Sequence, residues 1–241
     1  MKRRTLISAA PAFALATSLR ARAEGERKFV GMSLVSDRLT YAFAAPGVTG
    51  RLTNRNTNKV VPLADAPYDR TALEVLAAEV PHHVPGAQMT FLSGRGPDAY
   101  AGQDDWFDGD KVTLPASIRV PIEQQAPGAA LLLITKIKRQ ARVSDGRDAV
   151  GLGVFEGLGV YRDPLHAVHR DEDGLDYVLI APYVYIRLSL VDVASSKVLR
   201  HKDIEVARPV YAETPADLVG AIQQQLVEGL TQAIGVVLKD A

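Results

Sequence analysis

The chain contains no cysteine, and this absence excludes several classes of chemistry at once. Without a thiol there can be no disulfide, no thiolate metal site and no cysteine nucleophile. A lipid anchor on a cysteine after a signal segment is excluded for the same reason. Long hydrophobic runs are also missing after residue 23, because no later apolar run reaches the roughly 18 residues that indicate a membrane-spanning helix.

An excess of charge of one sign is missing as well. Lys+Arg and Asp+Glu each total 28, so the formal net charge is zero. Nucleic-acid binding would favour a basic excess, and we therefore expect no nucleic-acid partner. The sequence also lacks the G-x-S-x-G, S-x-x-K and H-E-x-x-H motifs of hydrolases. We predict no catalytic residue, and an enzyme is the less favoured class.

The first 23 residues carry a targeting pattern. Basic residues from Lys2 to Arg4 precede an apolar run, and Ala21-Arg22-Ala23 is the small-x-small sequence that a signal peptidase cleaves. We predict a cleaved signal peptide over 1–23 and a mature chain over 24–241 that is periplasmic, soluble and not lipidated. The twin arginines Arg3-Arg4 leave both the secretory and the twin-arginine export routes open. Cleavage removes five basic residues and no acid, which makes the mature chain mildly acidic.

Hydrophobic periodicity predicts strands and helices in alternation along the mature chain. We predict strands over 29–36 and 39–44, joined by a tight hairpin at Asp37-Arg38, and a helix capped by Asp65 that runs to about Glu79. A short strand over 59–63 is expected before this helix, and with a further strand at 88–93 the segment forms a β-α-β unit. Loops with one or two short helical turns are expected over 94–127.

The second half begins with a continuous apolar run over 129–137 that predicts a buried central strand. Strands over 154–161, 177–193 and 198–208 follow, and the last two pair as an antiparallel hairpin. An apolar stripe from Leu218 to Val237, after a cap at Thr214, predicts a C-terminal amphipathic helix. The predicted fold class is a single α/β (α+β) domain with a mixed, largely antiparallel sheet and packed helices.

Glycines at 151, 153, 157 and 159 do not have the spacing of a dinucleotide-binding loop. All four have the same parity, so in a strand they would line one face and allow close approach of a neighbour.

Candidate metal ligands lie near the middle of the chain. His166 and His169, with Asp171 or Asp173, offer the imidazole and carboxylate groups that zinc prefers. The acidic runs at 104–110 and 171–176 offer oxygen ligands for calcium, but neither matches the known twelve-residue loop. Solvated loops are the alternative for both, and we predict no obligatory cofactor.

A candidate partner surface lies on one face of the long strand over 177–193. Tyr183, Tyr185 and Arg187 share that face, and tyrosine and arginine are enriched in interface hot spots. The alternative is a face covered by other elements. The partner would be an envelope protein or another component of the cell envelope, and the sequence does not indicate an oligomeric state.

The order of elements resembles that of several envelope α/β modules. It is similar to the curli-secretion channel subunit, the amino-terminal domain of TolB and the outer-membrane activators of peptidoglycan synthases. It also resembles uncharacterised exported proteobacterial proteins that share the strand–Ser-Asp–strand opening found here at Val35-Ser36-Asp37. The resemblance implies an exported accessory or binding protein without catalytic activity. A metal-dependent hydrolase of envelope material and a small-ligand carrier remain the alternatives.

Overall fold

The computed structural model describes residues 27–44, 56–94, 97–144, 149–150, 153–170, 176–210 and 215–239. Its strands are β1 (Lys28–Leu34), β2 (Arg38–Phe43), β3 (Thr57–Pro62), β4 (Gln88–Ser93), β5 (Phe107–Asp108), β6 (Lys111–Val112), β7 (Ala130–Lys136), β8 (Lys138–Gln140), β9 (Val143–Ser144), β10 (Ala149–Val150), β11 (Val154–Arg170), β12 (Asp176–Asp192) and β13 (Lys197–Ala207). Its α-helices are α1 (Pro67–His83), α2 (Ala116–Gln125) and α3 (Pro215–Val237). Two short 3-10 helices cover Pro97–Tyr100 and Gln103–Trp106. The predicted signal peptide lies outside the described residues.

Strand β12 is the centre of the main sheet because it has partners on both edges. Its first half pairs antiparallel with β11 and its second half with β7, while β13 pairs along the other edge. From β7 the sheet continues through the parallel strands β1 and β4, and from β11 through β2 to β3. The arrangement is a mixed, largely antiparallel sheet with packed helices, which confirms the predicted fold class.

β1 and β7 are buried on both faces, because other elements cover both sides of the parallel part of the sheet. One face packs against α1 and α3, through Leu132 and Ile134 among others. The opposite face packs against α2 and the sole tryptophan, Trp106, through Leu131 and Leu133. Trp106 is therefore a packing residue in the core.

A β-α-β unit forms, but its first strand is β1. β1 and β4 pair in parallel, whereas β3, the strand directly before α1, pairs with β2. The predicted cap by Asp65 is wrong. Asp65 and Ala66 both have positive φ, Ala66 occupies the cap position, and no side chain caps the helix. Pro67 opens the first turn, where its fixed φ suits a helix. The helix continues past its predicted end near Glu79, through Pro81, and ends at His83.

The predicted hairpin at Asp37-Arg38 is also wrong. β1 pairs with β4 and β7, whereas β2 pairs with β11 and β3, so the two strands lie in different parts of the sheet. A strand that is apolar on both faces needs covered parallel neighbours, and this requirement overrides the local turn signal. The ten-residue helix α2 exceeds the short helical turns expected there, because Pro121 within it imitates a helix break.

The C-terminal helix α3 confirms the predicted apolar stripe. Its side of the core contains Ile222, Leu226, Leu230, Ala233 and Val237, each at most 1% exposed. The predicted cap at Thr214 lies outside the described residues. Within the described part of the chain, no helix is both long and apolar enough to cross a membrane.

Candidate functional site

Polar side chains gather where the parallel strands β4, β1 and β7 end. In α/β sheets this edge is where ligands bind, because the chain leaves each strand in a loop there. Ser33 and Ser36 lie at the end of β1, and Lys136 is the last residue of β7. Asp69, in the first turn of α1, and Tyr100, in a 3-10 helix, approach the same edge.

Asp69 is the centre of this cluster and is 6% exposed. Its Oδ1 accepts hydrogen bonds from Ser33 Oγ at 2.6 Å and from the Val35 backbone N–H at 2.8 Å. Its Oδ2 accepts a hydrogen bond from Tyr100 Oη at 2.8 Å. The Tyr68 N–H donates to Ser36 Oγ at 3.1 Å, which fixes the start of α1 against β1.

Burial raises the pKa of Asp69, because removal from water disfavours the charged carboxylate. The hydrogen bonds from Ser33, Val35 and Tyr100 act in the opposite direction and offset part of that effect. Burial and the charge of Asp69 also raise the pKa of the Tyr100 hydroxyl, so this group stays protonated at neutral pH and donates its hydrogen bond to Asp69. Asp69 thus accepts hydrogen bonds from β1 and from the 3-10 segment and ties both to α1.

Gln103 connects β1 and β7 just beyond the last backbone pair. Its Nε2 donates to the Leu34 carbonyl and its Oε1 accepts from the Lys136 N–H, both at 2.8 Å. The side-chain amide therefore continues the backbone ladder between the two strands. Lys136 Nζ forms an ion pair with Asp37 Oδ1 at 2.8 Å, and its side chain is 6% exposed.

A cleft of about 570 Å³ opens between α1 and β4 beside this cluster. We call it the α1 cleft. Ser33, Asp69 and Tyr100 form its polar end, and Phe91 of β4 is 40% exposed at its rim. The rest of its lining combines charged and apolar groups: Asp65, Ala66, Arg70, Leu73, Glu74, Ala77, Ser93 and Gly94.

A second cleft, of about 530 Å³, lies on the other face of the sheet, between β4 and α2. We call it the α2 cleft. No charged residue lines it, and its walls include Met32, Leu92, Ile118 and Pro121. Phe91, Ser93 and Gly94 line both clefts, so β4 separates them. The two clefts therefore flank one strand.

The residues of the predicted partner surface lie in two different environments. Tyr183 and Tyr185 are fully buried, in a cluster with Phe155 and Tyr161. The Tyr183 ring stacks on Phe155 with centroids 4.2 Å apart.

The tyrosine hydroxyls reach backbone groups at the edge of this cluster. Tyr183 Oη donates to the Thr40 carbonyl, and Tyr185 Oη donates to the Arg142 carbonyl and accepts from the Arg142 N–H. Arg187, with a side chain 18% exposed, forms a bidentate pair with Asp203 at 2.6 and 2.9 Å. Of the three residues, Arg187 retains the most exposure.

The described residues do not show the predicted metal ligands as a group. His166 and His169 lie in the backbone of β11, where the sequence indicated a loop. Asp171 and Asp173 lie outside the described residues. No three histidine, aspartate or glutamate side chains are grouped for a metal within the ranges that the structure describes. The zinc and calcium sites therefore stay predictions.

Sequence reasoning missed Asp69, Tyr100 and Gln103. One signal for them was present, because Ser33 lies near the end of a buried apolar strand and Ser36 and Asp37 follow it. Polar residues at such strand ends often line sites. The partners come from segments 31 to 69 positions away, and no local periodicity relates such distant positions.

Comparisons with known proteins give distant structural likeness alone. No protein-family model and no curated protein matches the sequence. A Xanthomonas campestris protein of the DUF330 family is similar at 14% identity and TM-score 0.42, with 88% of this chain and 84% of that chain covered.

Two further solved structures are similar at lower scores. One is a homolog of the neuraminyllactose-binding hemagglutinin from Helicobacter pylori, at 10% identity and TM-score 0.34, covering 90% of this chain and 87% of that one. The other is PelC from Paraburkholderia phytofirmans, solved as a dodecamer, at 10% identity and TM-score 0.28, covering 86% and 89%.

Proposed function

We propose that this protein is an exported periplasmic accessory protein that acts by binding a protein or envelope partner and not by catalysis. The observation that carries the proposal is that the polar cluster is engaged within the fold. Each oxygen of Asp69 already accepts a hydrogen bond from within the chain, and Lys136 is held by Asp37. A general base must lie within hydrogen-bond reach of the proton that it abstracts, and these groups are engaged in positioning strands and helix.

The surface beside the cluster suits recognition. Phe91 supplies exposed aromatic area, Leu73 an aliphatic wall, and Arg70 and Glu74 opposite charges. Aromatic and apolar anchors bordered by charged groups are typical of binding sites in which a few residues supply most of the affinity. We infer a periplasmic location for this surface from the export signal predicted over 1–23.

The test is site-specific crosslinking in living cells. Benzoylphenylalanine is placed at Phe91, in the cleft rim, and at Val219 as a matched control that is 47% exposed on α3 and lines neither cleft. We expect a discrete adduct from position 91 and none from position 219. Absence of an adduct at position 91, together with turnover of envelope material by the purified protein, would contradict the proposal.

A further inference from the structure

We propose that the free edge of β4 binds an extended peptide segment of another protein as an added strand, with alternate side chains of that segment entering the α1 and α2 clefts. This inference rests on the proposed binding function and names its site and the chemistry of its partner. Peptides that add a strand to a sheet edge gain affinity from main-chain hydrogen bonds and specificity from pockets for alternate side chains.

The first observation is the open edge. Strand β4 pairs with β1 and with no other strand of the described residues. Gln88 N–H donates to the Arg27 carbonyl, so residue 88 directs its backbone groups toward β1. Because successive residues of a strand alternate, residues 90 and 92 face β1 as well, and Met89, Phe91 and Ser93 direct their N–H and C=O groups to the open edge.

The second observation is that β4 lacks the residues that protect edges. Sheet edges are usually blunted by charges or proline, because an open apolar edge pairs with other chains. β3, at another edge, carries Lys59 and Pro62. Most of the outer edge of β13 is also unpaired within the described residues, and that strand contains Lys197, Arg200, Lys202, Asp203 and Glu205. β4 has the sequence QMTFLS, with no charge and no proline.

The third observation is the pair of clefts on either side of this strand. Side chains of an added strand point alternately to the two faces of the sheet, and each face here offers a cleft of more than 500 Å³. Phe91 packs over Gly31, where a Cβ would lie 2.8 Å from the phenyl ring. Because Gly31 has no side chain, the Phe91 ring can lie directly against the β1 backbone beside the open edge.

The charges that line the α1 cleft indicate which side chains the partner segment carries. The α1 cleft is lined by the carboxyl groups of Asp65, Asp69 and Glu74 and by one cation, Arg70, whereas the α2 cleft is uncharged. The complementary strand has lysine or arginine at positions facing α1 and apolar residues at positions facing α2. A second copy of this chain fits less well, because β4 contributes no cation and each copy would bring its own carboxylates to the junction.

The experiment measures binding of blocked hexapeptides, as long as β4, to the purified mature protein by calorimetry. The probe alternates lysine and valine, and a matched control peptide alternates glutamate and valine. We expect the lysine peptide to bind at least 10-fold more tightly than the glutamate peptide. Equal affinity of the two would overturn the proposed partner chemistry.

Two protein variants test the edge itself. Ser93→Pro removes one N–H from the open edge while leaving the bonds to β1, and Ser93→Ala keeps that N–H. We expect Ser93→Pro to bind the lysine peptide at least 10-fold more weakly than Ser93→Ala, with unchanged circular dichroism for both. Equal binding by both variants would overturn strand addition.

Sedimentation of the free protein tests whether a second copy of this chain occupies the edge. If the free protein self-associates and Ser93→Pro abolishes this, the edge binds a second copy of the chain, and the proposal that it binds another protein is overturned. If the Phe91 adduct forms in cells but the peptides do not bind through the edge, the strand-addition proposal falls and the proposed binding function stands.

Discussion

Asp69 illustrates how one buried side chain organises the edge of the sheet. Its hydrogen-bond donors come from the end of β1 and from the 3-10 helix at Tyr100, while Asp69 itself belongs to α1. A buried carboxylate is tolerated because three donors compensate for the water that it has lost. The residue therefore sets the distance between α1 and β1 that defines the α1 cleft.

Asp69→Asn tests this role through pH. The folded-state pKa of Asp69 lies above its ordinary 3.8, so its contribution to stability is full below pH 3.8 and is lost as pH rises through the folded value. We expect the stability of the wild type relative to Asp69→Asn to fall with rising pH above 3.8, by at most about 1.4 kcal/mol per pH unit. Urea unfolding of both proteins at several pH values measures this, and a pH-independent difference would contradict it.

The stability that Asp203 contributes depends on pH in the opposite direction. Burial alone would raise its pKa, but the hydrogen bonds and charges of Arg187 and Arg139 outweigh burial and lower the pKa. Asp203 thus stabilises the fold above its unfolded pKa, and this stabilisation is lost as pH falls through the folded value. We expect Asp203→Asn to lower the free energy of unfolding at pH 7 by about 1–3 kcal/mol, with a smaller effect at pH 3. Equal losses at both pH values would argue against an ionic contribution.

Glycine is required at position 159 because the Thr40 backbone and the Tyr183 side chain approach it closely. A Cβ at this position would overlap the Thr40 carbonyl oxygen and the Tyr183 ring, whereas a Cβ at Gly220 in α3 would meet nothing within 4 Å. We expect Gly159→Ala to cost about 2 kcal/mol or more through overpacking, and Gly220→Ala to stabilise the protein by about 0.5–1 kcal/mol through helix propensity. Thermal unfolding of the two variants would show opposite shifts, and shifts of the same sign would contradict the packing described.

At the scale of elements, strand ends are joined by side chains as well as by the backbone. Gln103 bridges β1 and β7 where their ladder ends, and the segment that carries it also contributes Trp106 to the core. Loss of such a bridge leaves a buried carbonyl and a buried N–H without partners. These losses are expensive because neither group regains water.

Gln103→Ala should therefore cost about 2–4 kcal/mol and release the Lys136 amide to exchange. Gln124→Ala, on the exposed side of α2, is the matched control and should change stability by less than about 0.5 kcal/mol. Hydrogen exchange followed by NMR reads out the Lys136 amide directly. An unchanged rate for that amide in Gln103→Ala would show that the bridge is dispensable.

At the scale of the whole molecule, regular local patterns were predictable and long-range pairing was not. The apolar run over 129–137 and the stripe of α3 predicted β7 and α3, because burial imposes a period on the sequence. The hairpin at Asp37-Arg38 failed because the partners of β1 are β4 and β7, which lie about 60 and about 100 positions away, respectively. The sequence left open whether Tyr183 and Tyr185 lie on a partner surface or on a face covered by other elements. In the structure, β11 and the 137–143 segment pack against them.

Export is a further prediction at this scale. We expect protein recovered from the periplasm to begin at Glu24, because the small-x-small site ends at Ala23. Amino-terminal sequencing checks this, and an uncleaved terminus would contradict it. Replacing Arg3 and Arg4 with lysine separates the routes, since only twin-arginine export requires the arginine pair.

Amide exchange along β4 tests the central claim, that its open edge is the recognition site. With the lysine–valine peptide bound, we predict at least 10-fold slower exchange at Phe91 and Ser93, whose N–H groups face the open edge. Thr90 and Leu92 should not change, because their N–H groups already bond to β1. Binding with unchanged exchange at Phe91 and Ser93, or with equal slowing at all four residues, would contradict the account.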